Sequence, residues 1–126
     1  MIPRYRAWDV EFKEMVRVDA LVLEEEVIKV TYKNGNVAKE DMKCYELMQS
    51  TGLTDKNGKE IFEGDVVKMA KNVYSEPTYY EVVRHRGGAY RLESKQYGCE
   101  LWLRHTDCEI AGNIYENPEL LEEQDS

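Results

Sequence analysis

Apolar residues in this chain recur at every second position over short stretches, the period of half-buried β-strands. Val16 to Leu23 and Val27 to Lys33 show this alternation or the β-branching that goes with it, and Asn34-Gly35 after the second run predicts a hairpin turn. With a two-residue turn, Lys33 faces Asn36 and Tyr32 faces Val37, so that Tyr32 and Val37 share a face with Ile28 and Val30. Glu24-Glu25-Glu26 between the two runs is a like-charge cluster that belongs at an exposed connection. Lys39 to Gln49 keeps two readings: Met42, Tyr45 and Met48 are three apart, while Tyr45-Glu46-Leu47-Met48 can enter a strand.

The second half repeats the pattern. Val66 to Ala70, Tyr79 to Arg86, Ala89 to Glu93, Glu100 to Arg104 and Cys108 to Tyr115 are candidate strands at spacings typical of a small antiparallel barrel. A two-residue turn at Gly87-Gly88 pairs Arg84 with Arg91, His85 with Tyr90 and Val83 with Leu92. Val83, His85, Tyr90 and Leu92 then share one face, and Arg84, Arg86 and Arg91 cluster on the other. Like charges in opposition require an anion or a carboxylate between them. Two readings follow. Glu81, Glu93 or a glutamate from another strand neutralises the patch, or the patch contacts an anion, a phosphate backbone or an acidic partner, with Tyr80 adding stacking or apolar contact.

Between the halves lies the run Thr51-Gly52-Leu53-Thr54-Asp55-Lys56-Asn57-Gly58-Lys59-Glu60-Ile61-Phe62-Glu63-Gly64-Asp65-Val66-Val67, in which two turn signals flank a short apolar segment. Asp55, Asp65 and, further on, Asp107 are read as turn and cap residues. With Ile2-Pro3-Arg4-Tyr5-Arg6-Ala7-Trp8-Asp9, with Leu47 to Leu53, and with Gly112-Asn113-Ile114-Tyr115-Glu116-Asn117-Pro118-Glu119-Leu120, this run resembles the YopX family of phage and prophage proteins. The resemblance covers most of the chain. It implies a phage or prophage origin, a cytoplasmic location in a bacterial host and an SH3-like barrel in the C-terminal half. It carries no active-site residues onto this sequence.

The fold expected is therefore mainly β: an N-terminal β-hairpin layer over residues 1–50, an SH3-like small barrel over 51–115, and an acidic tail over 116–126. A helical turn after Asn117-Pro118 is expected in the tail, since Asn can cap and Pro suits the first helical position. Charge locates the tail. The net charge is −8, of which residues 116–126 carry −5 and the body only −3, so the tail reads as a solvated end. No apolar stretch approaches the ~18 residues of a membrane helix, so no membrane partner is expected.

Chemistry is sparse. Cys44, Cys99 and Cys108 are an odd set suited to a reducing compartment. Cys99, His105 and Cys108 form C-x5-H-x2-C, which lacks the paired short spacings of structural zinc modules, and Cys44 and His85 do not complete it, so neither metal nor cofactor is expected. No nucleophile elbow, phosphate-binding glycine loop or zincin motif occurs, and the expectation is a non-enzyme. Nine Tyr, two Trp and two Phe, among them Tyr5, Trp8, Tyr79, Tyr97, Trp102 and Tyr115, mostly belong in the core; those exposed together would mark an interface. The function expected is a protein-binding or oligomerisation module whose partner is a phage or host protein or a second copy, the alternative being nucleic-acid binding through the arginines.

Overall fold

Strands dominate both halves of the protein, as the alternation predicts, and they form two antiparallel sheets. The structure, a computed structural model, describes residues 4–70 and 74–122. Ile2 and Pro3 of the first family-like segment, Asn72 and Val73 of the expected loop, and Glu123 and Asp125 of the acidic tail lie outside those residues. The chain divides into two compact units, Met1–Ser50 and Thr51–Ser126.

The first unit holds β1 (Tyr5–Asp9), β2 (Glu14–Val22), β3 (Val27–Thr31), β4 (Val37–Asp41) and the start of β5 (Tyr45–Thr54), in the order β4-β3-β2-β1-β5. A single 3-10 turn, Met42–Cys44, resolves the ambiguous stretch before β5; the Asp41 side chain accepts from the Lys43 N–H at its start. Ala7, Val16, Ile28, Val30 and Tyr45 form the core, and Ala38, Met42 and Tyr32 pack against it. Asp9 is buried among them and is fully used. One oxygen accepts from the Glu11 and Phe12 N–H groups at 3.0 Å each, closing the β1–β2 turn, and the other accepts from the Tyr32 hydroxyl at 2.7 Å. The Tyr32 and Tyr45 hydroxyls lie 2.7 Å apart, and burial, first of all, pushes both phenols up in pKa.

The Asn34-Gly35 hairpin forms, but one residue out of the expected register. Tyr32 N–H donates to Asn36 O and Gly35 N–H to Tyr32 O, a three-residue loop, and Thr31 stands opposite Val37 and Val30 opposite Ala38. Because side chains alternate, the slip exchanges faces: Ala38 turns to the core and Val37 is 75% exposed.

The second unit contains the end of β5, then β6 (Glu60–Phe62), β7 (Asp65–Met69), β8 (Thr78–Arg84), β9 (Tyr90–Glu93), β10 (Gly98–Glu100), α1 (Leu101–Arg104), a 3-10 turn at His105–Asp107, β11 (Glu109–Asn113) and α2 (Glu119–Glu122). β6 neighbours β5, and the other strands form a sheet of order β10-β9-β8-β7-β11. This sheet is not a closed barrel among the described residues: β10 and β11 are its two edges. One expected strand, Glu100 to Arg104, is helical from Leu101 onward. Leu101 is 0% exposed while Trp102 and Leu103 are exposed, a sequence of one inward and two outward residues that a helical turn provides and an alternating strand does not. The core is Ile61, Val67, Met69, Tyr80, Val82, Leu92, Leu101 and Cys108.

Both acidic turns of the central run are structural. Asp55 is 3% exposed; one oxygen accepts from the Asn57 and Lys59 N–H groups at 2.9 Å each, and the other accepts from Ile110 N–H at 3.0 Å, tying the turn to β11. Asp65, 1% exposed, accepts from Phe62 N–H at 2.8 Å. Gly64 has φ 85°, a left-handed value favourable only to glycine here, and its N–H donates to Val82 O while its carbonyl accepts from Ile114 N–H. The helical turn expected after Asn117-Pro118 is α2, and Asn117 contributes differently from a simple cap: its side-chain oxygen accepts from Asn113 N–H at 3.2 Å.

Candidate functional site: the β10–α1 surface of the second unit

The surface begins at a turn that Ser94 builds. Its hydroxyl accepts from Tyr97 N–H at 3.0 Å, and its N–H donates to Tyr97 O at 2.8 Å, which sends β10 back along β9 with Cys99 opposite Leu92 and Glu100 opposite Arg91. α1 follows at once, anchored by buried Leu101 and held from the far side by Cys108, whose thiol donates to Arg104 O at 3.2 Å. His105 donates from Nδ1 to Thr54 O at 2.7 Å, since a carbonyl can only accept. With these anchors in place, Tyr97, Trp102 and Leu103 are left 47%, 65% and 57% exposed within seven residues of sequence. Large exposed apolar groups gathered in this way mark contact surfaces more than isolated ones do.

Tyr97 also lines a recess of about 170 Å³, together with Met69, Tyr80, Gly98, Cys99 and Arg104. Its lining is apolar and aromatic apart from the Arg104 guanidinium, which pairs with Asp107 at 3.0 Å through Nε. Burial pushes Cys99 up, against the pull of Arg104 and Arg91, and burial pushes Cys108 up to about 12, so both remain protonated at neutral pH. Among the described residues no three His, Cys, Asp or Glu side chains converge in a metal-binding cluster. Cys44 is exposed in the first unit, while Cys108 lies in the core of the second.

The arginines that the sequence places together are separated. The Gly87-Gly88 hairpin again has a three-residue loop, with His85 N–H donating to Ala89 O and Gly88 N–H to His85 O; Gly87 and Gly88 both have φ 87°. Val82 therefore stands opposite Leu92, Val83 opposite Arg91 and Arg84 opposite Tyr90. Arg84 takes the face of Val82 and Leu92, Arg91 takes the other face with Glu81 and Glu93, and Arg86 is in the exposed loop. Arg91 is neutralised: it meets Glu100 at 2.6 Å and Glu93 at 3.6 Å, and Glu93 also holds His85 at 2.7 Å. Tyr80 is 4% exposed in the core, so its ring does not share a surface with Arg86 or Arg91.

The same register sets Glu81 opposite Glu93. Burial, and then the Glu93 charge, raises the pKa of Glu81, so folding favours its protonated form. Stability from this group falls as pH rises from the ordinary glutamate value through the raised one, and the cost persists above it. Glu81→Gln is expected to stabilise the protein by about 0.5 kcal/mol at pH 8 and by less at pH 4, as read by thermal melts at the two pH values. An equal effect at both would show that the carboxylate is not strained by its neighbours.

The sequence pattern marks Tyr97 and Trp102 among the aromatics whose joint exposure would signal an interface, but it places Leu103 and Arg104 in a strand and Cys99 among the free thiols. The signal that joins them, the one-turn helix after Glu100, is a packing result.

The family model described as YopX protein matches residues 4–122. Protein EF1440 from Enterococcus faecalis, a crystal structure, is similar at 31% identity and TM-score 0.65, covering 96% of this chain and 99% of that one. Protein yopX from Bacillus subtilis is similar in fold at 23% identity and TM-score 0.63, covering 94% of this chain and 97% of that one. A search of curated proteins found no match.

Proposed function

Because the chain belongs to the YopX family, we propose that it is a non-catalytic phage or prophage accessory protein that binds a protein partner through the Tyr97, Trp102 and Leu103 surface of its second unit. The observation that carries this reading is the exposure of those three side chains within seven residues of sequence, the first of them, Tyr97, also lining an apolar recess. Trp102 is 65% exposed, and binding energy at protein contacts concentrates in such aromatic residues. The sheet order, with β7 between β8 and β11 and a helical turn before β11, accords with an SH3-like module open on one side. Such modules host many functions, so the surface and not the fold supports the reading.

Nucleic-acid contact through Arg84, Arg86 and Arg91 is the weaker reading, because Arg91 is already paired and Arg84 lies on the opposite face. One experiment separates the two. Tagged protein is recovered from induced host cells with and without nuclease, alongside the Trp102→Ala/Leu103→Ala variant. Partner proteins retained after nuclease and reduced at least tenfold by the double substitution are the expected result. Recovery that depends on nucleic acid, or that the double substitution leaves unchanged, would overturn the proposal.

A further inference from the structure

The described sheet edges are not alike. Edge strands left open invite pairing with another chain, and proteins blunt them with charge, bulges or side-chain caps. β4 carries Lys39-Glu40-Asp41 in succession. β6 is three residues long and its Phe62 N–H is taken by Asp65. β11 is bulged between Ile110 and Gly112, and its Ile110 N–H is taken by Asp55. β10, Gly98-Cys99-Glu100, is as short as β6 and carries one charge, Glu100, but it has no Lys, Pro or bulge, and among the described residues no side chain takes its backbone N–H groups.

The pairing phase identifies which β10 groups face outward. Ser94 N–H bonds Tyr97 O, so the Ser94–Tyr97 pair is hydrogen-bonded, and by the alternation of antiparallel ladders the next such pair is Leu92–Cys99. Gly98 and Glu100 therefore turn their backbone groups away from β9. Glu100 begins α1, so its carbonyl is directed into the helix while its N–H stays at the edge. Gly98 is exposed and carries no side chain to obstruct an incoming backbone. The recess lies at the same place, lined by Gly98 and Cys99 themselves, with Tyr97 and Arg104 at its sides.

We infer that β10 is a strand-addition site for an extended segment of a partner protein, in which an apolar side chain enters the recess and a neighbouring carboxylate meets the Arg104 guanidinium. The inference rests on the reading of this surface as a protein contact and specifies its geometry. Backbone pairing to Gly98 and Glu100 supplies orientation, and the recess supplies selection, the division of labour of strand-addition recognition. Charge complementarity selects the carboxylate: Asp107 engages Arg104 through Nε at 3.0 Å, a contact that leaves the Nη donors of the planar fork to a second carboxylate.

The test uses the full chain and a library of random 12-residue peptides displayed on phage. Peptides recovered by panning are synthesised and titrated by fluorescence anisotropy. Apolar–acidic sequences with micromolar Kd are expected. N-methylation at one alternating set of peptide residues should weaken binding tenfold or more, while methylation of the other set leaves it near that of the parent, because only one set faces β10. Gly98→Pro, which removes an outward N–H that the ladder does not use, should weaken binding to a similar degree. The peptide arm leaves the protein unaltered, so it decides the matter if the proline variant unfolds. Equal binding by both methylated series, or failure to select any peptide, overturns strand addition. If the cellular partner is lost with Trp102→Ala/Leu103→Ala but bound normally by folded Gly98→Pro, the contact surface stands and strand addition falls; if neither variant affects recovery, both fall.

Discussion

Asp55→Ala should destabilise the second unit by about 3–5 kcal/mol in urea denaturation, the larger of two effects expected from single substitutions. The carboxylate of Asp55 accepts three backbone N–H groups, from Asn57, Lys59 and Ile110, and alanine leaves all three without that acceptor in a nearly dry site. Hydrogen bonds to a charged acceptor are worth about 1.5–3 kcal/mol each, and water can recover part of the loss at the exposed Asn57 and Lys59. The effect reaches beyond the turn because Ile110 belongs to β11, so the substitution also loosens an edge of the sheet.

Asp55 gives the protein a pH dependence opposite in sign to that of Glu81. Burial pushes its carboxyl up, but the Ile110, Lys59 and Asn57 N–H groups, with the Lys59 charge, outweigh it and hold the group below its ordinary value of 3.8. A lowered folded pKa means that the stabilisation is fully present above the unfolded value and is lost as pH falls through the folded one. Wild type should therefore lose stability relative to Asp55→Asn below about pH 4, with the difference constant from about pH 6 to 8. A difference independent of pH throughout would show that the ionised form is not what the N–H groups hold.

Leu101→Ala is the second large effect. Leu101 is 0% exposed, belongs to the same core as Leu92, Val82 and Cys108, and is the apolar anchor of the single turn that carries Trp102 and Leu103. Truncating a buried leucine costs about 2–5 kcal/mol, depending on how far the site collapses. For a unit of this size that lowers Tm by upwards of about 10 °C. A loss below 1 kcal/mol would mean that α1 is held by its backbone and by the Cys108 bond to Arg104 instead. Trp102→Ala, by contrast, should leave Tm within about 2 °C, since a surface side chain has little packing to lose.

Much of this architecture was legible in residue order. The alternation of Val16 to Leu23 and Val27 to Lys33 marks β2 and β3, the hairpins at Asn34-Gly35 and Gly87-Gly88 are where the turn residues stand, and Asp55 and Asp65 are turn residues as their types imply. The register was not legible. In both hairpins the loop has three residues where two were expected, and the slip of one reverses which side chains meet the core. Turn composition permits both loops; the choice between them depends on whether Ala38 or Val37 packs better against Val30, and on whether Leu92 meets Val82 or Val83. Those are energies of distant neighbours, and no local pattern contains them.

The candidate site divides in the same way. Sequence by itself determined the mainly β character, the positions of the turns and the family, because each follows from residue type or short spacing. Tertiary structure alone decided that Arg84 and Arg91 part to opposite faces, that Tyr80 is buried, that Leu101 to Arg104 coil into a turn, and that Tyr97, Trp102 and Leu103 stay in water, with Tyr97 lining a recess. The physical reason is that exposure is a property of the whole packed unit: a tyrosine at position 80 and one at position 97 are chemically the same, and only the core packed around the first and the turn before the edge strand that carries the second make one 4% and the other 47% exposed.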